Sequence, residues 1–560
     1  MTEIHIKLFN LLDTKSYEEL KTLTYNQNFL GVAQINPVAG NIEFNFNKIL
    51  EYVEIANLLG LSAIAFPKFS LLGDKLTDFV NRYPFIIEEN KKYLDKLAKH
   101  SQNTAIILDF IDSDKNFKTA ILRNGRIENI LEQNLISSKY INDGVEYLIK
   151  PTAIPSRTNS EEIRKDALIK LAKETKRPIV EINRVGAIDN DSYGGSSCVY
   201  DENGVLISRA KSFEEQLLIV NPVEKIGKIY EEIPQNPPKE FTLDYDWDLE
   251  RTYKTVVQGI RDYFNKCGIK RAVLGLSGGL DSTVCAVLLV DALGKENVFG
   301  VSMPSKLTSN ESKSDALELA QNLGIGFTEA SIKPMFETCN DCFNTLFSEV
   351  EKIWDGRYTQ SFTPDNIQAR SRAMYLWGIA NEFSSCVPIA TSDKSEAYMG
   401  YATINGDMSG GFAPIADITK TKLFALARWM NKNREVKNVI PESVLLKRPG
   451  AELAIDPNTG KTLCAEDALM PYEFLDEIIW RIENKHQSYM ELLSAEFIYE
   501  KKHNLSKEQK IEWLDKFYKR MSSALYKGYI MPPSVIVETE TVNKTAYSQP
   551  ITSGKINYKV

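Results

Sequence analysis

A chain of 560 residues, 43% hydrophobic and 25% charged, with a formal net charge of −8, is too long for a single hydrophobic core and calls for two or three domains. The negative balance argues against a general nucleic-acid binder, which needs a positive surface. No apolar run approaches the roughly 20 residues of a membrane helix, the N-terminus lacks a signal-peptide pattern, and seven cysteines in so long a chain form no disulfide framework, so a reducing cytoplasm is the expected setting.

Residues 1–28 are polar and mixed, and suggest no more than a short helix near Tyr17–Leu23. An apolar run follows at Phe29–Ile35. After Asn36–Asn41 come helical spacing over Asn47–Leu59 (Ile49, Val53, Ile55 and Leu58 apolar) and a second apolar run at Ser62–Pro67. Strand, helix and strand in that order predict a βαβ unit with a parallel sheet. Further strands are expected at Thr104–Phe110, Thr119–Leu122, Pro178–Asn183, Ser196–Tyr200 and Leu217–Val220, and a helix at about Ser160–Glu174.

The opening Ala33-Gln34-Ile35-Asn36-Pro37-Val38-Ala39-Gly40-Asn41, the Ala65-Phe66-Pro67 and the tract from Arg164 to Gly204 resemble the nitrilase amidohydrolases, over about residues 29–222. The resemblance implies an α-β-β-α sandwich. It does not bring the family's chemistry with it. That chemistry is a Glu–Lys–Cys triad, in which a carboxylate base and a lysine activate a thiolate. Lys68 stands after Phe66-Pro67, where the family has its glutamate, and Ile130–Leu135 contains Glu132 but no lysine. The first cysteine of the chain is Cys198, past the nucleophile position, and the segment between Asn134 and Lys150 is too short for the missing strand and elbow. A degenerate domain kept for packing, with no amidase activity, is expected.

Residues 223–244 read as a linker, with Pro234, Pro237 and Pro238 stopping regular structure. Asp246–Asn265 is amphipathic (Leu249, Tyr253, Val256, Val257, Ile260 and Tyr263 share one face) and opens a second domain over 245–560. Ala272-Val273-Leu274-Gly275 reads as a buried parallel strand, and Val284–Leu293 as a helix docked on its sheet. Between them, Gly278 and Gly279 let backbone N–H groups close on an anion, Ser277 and Ser282 add hydroxyls, and the helix N-terminus adds partial positive charge. That is a phosphate cradle, though not a Walker A loop, whose spacing and lysine it lacks. A strand at Asn297–Pro304, a helix at Ser312–Leu323 and a strand at Gly326–Ala330 extend the alternation. An open doubly wound parallel sheet follows, with ligands at the carboxyl ends of its strands. Cys339 and Cys342 form the one C-x-x-C, and without a second pair or nearby histidine no zinc site is expected. Asp365–Arg372 places two guanidiniums, Arg370 and Arg372, two residues apart, a pattern suited to phosphate or carboxylate. Val387–Thr391 is a strand leading into Ser392-Asp393-Lys394-Ser395-Glu396.

The Ser277–Ser282 sequence resembles that of the ATP pyrophosphatases, which cleave ATP between the α and β phosphates. Seven more motifs follow it in order: Met303-Pro304-Ser305, Asn366–Arg370, Thr391–Glu396, Gly406–Pro414, Ala451-Glu452-Leu453, Pro471–Asp476 and Tyr518-Lys519-Arg520. Together they resemble the NAD+ synthetases of the type fused to a nitrilase-like domain, and eight motifs in register are far more specific than any one. The resemblance implies a domain of the adenine-nucleotide α-hydrolase type that amidates deamido-NAD+. The nicotinate carboxylate is joined to ATP as an adenylate, pyrophosphate leaves, and ammonia displaces AMP. On the same footing Gly275, Leu276, Ser277, Gly278, Gly279, Leu280, Asp281 and Ser282, with Thr391 and Lys420, bind ATP. Ser277 and Asp281 serve catalysis, Asp281 and Glu396 hold Mg2+, and Arg370, Glu396, Asp407 and Lys519 face the dinucleotide. Homodimers are implied as well.

The chain departs from that pattern in four places. Ser392-Asp393 replaces Gly-Asn, and Gly450 replaces a small hydroxyl residue before Ala451. Extra residues separate Tyr518-Lys519-Arg520 from Pro532-Pro533, and Lys544–Pro550 replaces a basic tail. These leave substrate choice more open than reaction type. The alternatives are amidation of nicotinate mononucleotide, a glutamine-dependent reaction fed by a separate glutaminase, a hydrolytic amidase and a non-catalytic nucleotide sensor. An assay of deamido-NAD+, ATP and Mg2+ with ammonia or glutamine separates them.

Overall fold

The structure is a computed structural model that describes residues 28–538, apart from 75, 133–134, 142–143, 145, 235–240, 243–244, 357–360 and 451–463. The helix suggested near Tyr17–Leu23, the Ala451–Leu453 motif and the Lys544–Pro550 tail lie outside the described residues. Two compact units meet in sequence between Pro237 and Pro238.

In the first unit β1 (Leu30–Gln34), α1 (Ile42–Leu59) and β2 (Ala63–Ala65) make the βαβ start, with β1 and β2 parallel and Leu30 opposite Ala63. α1 begins at Ile42 rather than Asn47 because Asn41 caps it, its side chain accepting from the Phe44 N–H. Two helices that the sequence reading did not place, α2 (Thr77–Arg82) and α3 (Phe85–Ala98), precede β3 (Ala105–Ile111) and β4 (Phe117–Arg123). Then come β5 (Arg126–Leu131), β6 (Ile136–Ser137), β7 (Leu148–Thr152), α4 (Ser160–Thr175), β8 (Ile179–Asn183), β9 (Val185–Ile188), β10 (Asp191–Gly194), β11 (Cys198–Tyr200), β12 (Leu206–Arg209) and β13 (Gln216–Val220). Six strands form one sheet in the order β13-β1-β2-β3-β4-β5, and five form a second, β12-β11-β8-β7-β6.

Side chains alternate across each strand, and the alternation builds four layers. Ile106 and Leu108 of β3 pack with Ile49 and Val53 of α1 and Leu94 of α3. Ala105 and Ile107 of the same strand turn the other way and meet Ile149, Val180, Ile182 and Val199 of the second sheet. The far side of that sheet, Ile179, Cys198 and Tyr200, lies under Leu168 and Ala172 of α4. Helices, sheet, sheet and helix are the α-β-β-α sandwich expected of this half.

The second unit opens with α5 (Asp246–Lys266), whose Leu249, Val256, Val257 and Ile260 are buried as the spacing requires, while Tyr253 and Tyr263 are half-buried and Phe264, which the spacing did not mark, is buried. Its sheet is parallel throughout: β14 (Arg271–Gly275), β15 (Val298–Ser302), β16 (Gly326–Glu329) and β17 (Cys386–Pro388), in the order β16-β15-β14-β17. The chain steps outward from β14 to β15 to β16 and then returns to the other flank of β14. That reversal opens a crevice at the carboxyl ends of β14 and β17. α6 (Leu280–Leu293) follows β14, and its buried run Ser282–Leu289 explains why it is apolar nearly all round. α7 (Asn310–Leu323), α8 (Lys333–Val350) and α9 (Thr363–Glu382) come next, and Asp365–Arg372 lies within α9. α10 (Lys394–Met399), α11 (Lys420–Asn433), α12 (Glu442–Leu446), α13 (Ala465–Ala468), α14 (Tyr472–Lys485), α15 (Tyr489–Ser494), α16 (Ile498–His503) and α17 (Lys507–Gly528) complete it. The last helices form a core of their own around Phe474, Leu475, Phe497, Leu514 and Phe517, into which Tyr398 and Met399 of α10 are set. Among the described residues no helix is long and apolar enough to cross a membrane.

Candidate active site

The cradle sits where β14 ends, and its residues divide by direction. Leu276 and Leu280 point into the core, 1% and 6% exposed, and so hold the loop down. Gly278 has φ +73°, and a Cβ there would stand 2.1 Å from the Ser312 carbonyl oxygen at the start of α7, so no other residue fits. Gly279 ends the loop as the N-cap residue of α6 and has no capping side chain, which leaves the first N–H groups of α6 facing the crevice. The two serines have different work. Ser282 is buried, and its Oγ lies 3.3 Å from the Ser277 N–H, which donates to it, while donating to the Gly279 carbonyl at 3.2 Å. It pins the loop shut on itself. Ser277 is exposed, and its Oγ accepts from the Gly279 N–H at 3.2 Å.

Three carboxylates converge beside this loop. Asp281 lies in the first turn of α6, and Glu396 in the first turn of α10. Asp393 is the N-cap of α10, accepting from the Glu396 N–H at 2.8 Å. One oxygen from each of the three lies within 4.8 Å of the others. Lys420, the first residue of α11 and 1% exposed, drives its ammonium into the middle: 2.6 Å from Asp281 Oδ1, 2.8 Å from Asp393 Oδ2 and 3.0 Å from Glu396 Oε1. Burial works against the charge on Lys420, but the three carboxylates outweigh it and hold the ammonium well above its usual range. Burial also pushes the Glu396 and Asp393 carboxyls up, with Lys420 opposing it. Three carboxylates against one ammonium leave excess negative charge on hard oxygen donors, a set that suits Mg2+. Asp281 and Glu396 are thus brought together, as the sequence reading required. Asp393 was noted there only as a departure from an amide. Its place three residues before Glu396, where a helix cap belongs, was the signal for a third carboxylate.

The remaining residues are spread over α9, the segments after β17 and α10, and α17. Thr391 is half-buried just beyond β17. Arg370 is exposed, its Nε donating to the Ile404 carbonyl at 3.2 Å. Asp407 accepts from the Thr403 N–H at 2.7 Å. Lys519 is exposed on α17, and the side chains of that helix that reach the Met399–Asp407 segment are those of Arg520 and Lys527. Arg520 Nε donates to the Met399 carbonyl at 3.1 Å, and Lys527 Nζ to those of Gly400 and Ala402 at 2.8 and 2.7 Å. Lys527 is half-buried, and burial pulls its ammonium below the usual range while Asp407 holds it up. The sequence signal for Lys527 was present: Tyr526-Lys527 repeats Tyr518-Lys519 inside the tract that is longer than expected before Pro532-Pro533.

In the first unit, Lys68 leads out of the β2 end, its N–H donating to the Thr152 carbonyl at 3.2 Å. Its charge also acts on Asp109, which burial raises to about 6 while Thr119 and Lys68 oppose that rise. Glu132 is 81% exposed and pairs with Lys118 at 3.3 Å. Cys198 does have a carboxylate and an ammonium in its neighbourhood. Its Sγ is 3.9 Å from Glu181 Oε2, and Lys150 Nζ is 3.8 Å from Glu181 Oε1. Yet this trio lies on the face of the sheet sealed by α4, and burial, with Glu181 adding to it, pushes the Cys198 thiol up to about 12.

Residues 252–521 match the NAD synthase family. The glutamine-dependent NAD(+) synthetase of Thermotoga maritima is 32% identical over 521 residues, 80% of this chain and 87% of that protein. That of Aquifex aeolicus is 32% identical over 523 residues, covering 80% and 88%. Among solved structures, a glutamine-dependent NAD(+) synthetase from Cytophaga hutchinsonii superposes with a TM-score of 0.75 at 19% identity, covering 94% of this chain and 98% of that one. Its counterpart from Acinetobacter baumannii, in complex with ADP, gives 0.64 at 24% with the same coverage. At such identities the structures speak for the fold, a nitrilase-like sandwich joined to a doubly wound synthetase domain.

Proposed function

This chain belongs to the two-domain NAD+ synthetases, and on that footing we propose that it amidates deamido-NAD+ with free ammonia, converting ATP to AMP and pyrophosphate. Adenylation requires the phosphates to be neutralised and the nicotinate carboxylate to be held in line with the α-phosphorus. The N–H groups at Gly278 and Gly279, the Ser277 hydroxyl and the open end of α6 would receive the leaving pyrophosphate. Asp281, Asp393 and Glu396 would hold Mg2+, which when bound supplies charge neutralisation to the phosphates. Lys420 adds a second cation at the same place. Thr391 stands at the ATP side of the crevice, and Arg370, Asp407 and Lys527 are the groups we assign to the dinucleotide, with Lys527 in the part first given to Lys519. Attack of ammonia on the adenylate is downhill and mainly needs positioning.

One observation carries the choice of ammonia over glutamine. Cys198 is the only cysteine before Cys267, and it is 1% exposed with its thiol raised to about 12. A thiol held protonated under a helix cannot form the acyl-enzyme that glutamine hydrolysis needs. Purified protein should make NAD+ from deamido-NAD+, ATP, Mg2+ and ammonium chloride, and about a thousandfold less with ammonia-free glutamine. Cys198→Ala should leave the ammonium-driven rate within about threefold of wild type, since the residue only packs. Glutamate released in step with NAD+ by the isolated protein would refute the donor. Faster turnover of nicotinate mononucleotide would move the substrate.

We also expect homodimers. α8 is amphipathic, yet none of its 18 residues is buried. Phe343 and Leu346 on it, with Ile353 and Trp354 just beyond, form an exposed apolar face of the kind that marks an interface. Light scattering at assay concentration should return twice the chain mass, and a monomer would count against it.

A further inference from the structure

α11 brings Lys420 to the carboxylates, yet α11 has no cap of its own: Thr419 stands at the N-cap position without a side-chain hydrogen bond. Its first donors are met from elsewhere in the chain. The Lys420 N–H donates to Ser395 Oγ at 2.9 Å, and the Thr421 N–H to Asp476 Oδ2 at 2.7 Å. Thr421 Oγ1 donates to the same Oδ2 at 2.6 Å, and Ser395 Oγ in turn donates to Asp476 Oδ1 at 2.6 Å. Ser395 and Asp476 are both fully buried. One carboxylate on α14 therefore ties the residue next to Glu396 to the residue next to Lys420. Two helical turns along α14, Glu483 Oε2 holds Lys394 Nζ at 2.7 Å, so α14 grips the start of α10 twice.

We propose that Asp476 is a positioning residue for the nucleotide site: it sets the Lys420 ammonium in register with Glu396 and Asp281 by capping α11 through Thr421 and Ser395. This rests on the reading of that site as the ATP site. It also gives the Asp of Pro471–Asp476 and the Ser of Thr391–Glu396 a task, which the sequence reading left without one. An amide cannot replace the carboxylate. Three donors converge on two acceptor oxygens, whereas asparagine offers one oxygen and a donating NH2, so at least one buried donor loses its partner.

Asp476→Asn should lower kcat/KM for ATP by at least about tenfold and weaken calorimetric binding of inorganic pyrophosphate with Mg2+ to a similar degree. The KM for deamido-NAD+ should stay within about twofold, since Arg370, Asp407 and Lys527 are untouched. Thr421→Val, which removes one hydroxyl donor and leaves the N–H cap, should show the same pattern at smaller amplitude with a melting temperature lowered by only a few degrees. It decides the matter if Asp476→Asn does not fold. Ser395→Ala combined with Asp476→Asn should cost no more than the worse single change, because both act through one cap. Unchanged ATP and pyrophosphate parameters in a folded variant would overturn the positioning role, and so would equal increases in both KM values, the mark of general loosening. Wild-type protein that neither turns over nor binds pyrophosphate would instead bring down the site reading, and this proposal with it.

Discussion

Asp281→Asn should abolish adenylation and leave the protein folded. The side chain is one of three carboxylates around Lys420 and the one carried by the cradle itself. It is 27% exposed, so the fold does not depend on its burial. An asparagine keeps the size and one acceptor oxygen but removes the charge that a hard divalent cation requires. Metal binding and phosphate neutralisation are worth several kcal/mol to such a transition state, so a loss of about a thousandfold or more in pyrophosphate release is expected. The measurement is pyrophosphate release at saturating ATP over a series of Mg2+ concentrations. An undiminished rate at high Mg2+ would remove Asp281 from the site, and thermal unfolding alongside it checks the fold.

Lys420→Met should clearly destabilise the second unit. Methionine follows the lysine stem in length but leaves Asp281, Asp393 and Glu396 facing one another without a cation. Asp393 is 0% exposed and Glu396 16%, so solvent relieves the repulsion only in part. Removing one partner of a buried ion pair costs about 3–5 kcal/mol, and the lower end applies here because Asp281 and Glu396 keep some water. If the three carboxylates form the Mg2+ site, millimolar Mg2+ should return part of that loss, and should raise the variant's melting temperature more than that of wild type. Calorimetric melts with and without MgCl2 give the answer without any assay of activity. A variant as stable as wild type, or one indifferent to Mg2+, would show that the cluster is neither tight nor a metal site.

Much of this was legible before any coordinates, and the reason is locality. The β14 strand, the Gly278-Gly279 turn and the apolar α6 are neighbours in sequence, and their local preferences agree, so the cradle could be read as a unit. The βαβ start of the first unit was legible for the same reason. The start of α1 was missed because its first turn is set by the Asn41 cap rather than by apolar spacing. Helices α2 and α3 went unplaced although α3 buries Ile86, Tyr93, Leu94 and Leu97 at helical spacing. Ser282 was read as one of the cradle's hydroxyls. Its turn inward toward Ser277 and Gly279 is a matter of backbone path that composition does not carry.

The amino-acid sequence by itself determined the two-unit organisation, the sandwich and the doubly wound sheet, and the reaction class that the ordered motifs imply. Alternation, turn chemistry and motif order are all written along the chain. The tertiary structure alone decided which charges meet. Asp281, Asp393 with Glu396, and Lys420 come from three helices that are brought together by the reversal between β14 and β17 and held by the separate core of the C-terminal helices. It decided that Lys527 rather than Lys519 reaches the Met399–Asp407 segment, because α17 passes so close to Gly400 that a Cβ there would stand 2.3 Å from that of Ala524. It also placed Cys198 on the sheet face covered by α4 rather than at an open strand end. Such convergences depend on strand order and on which side of a sheet a residue falls, and a pairwise pattern along one chain does not specify either.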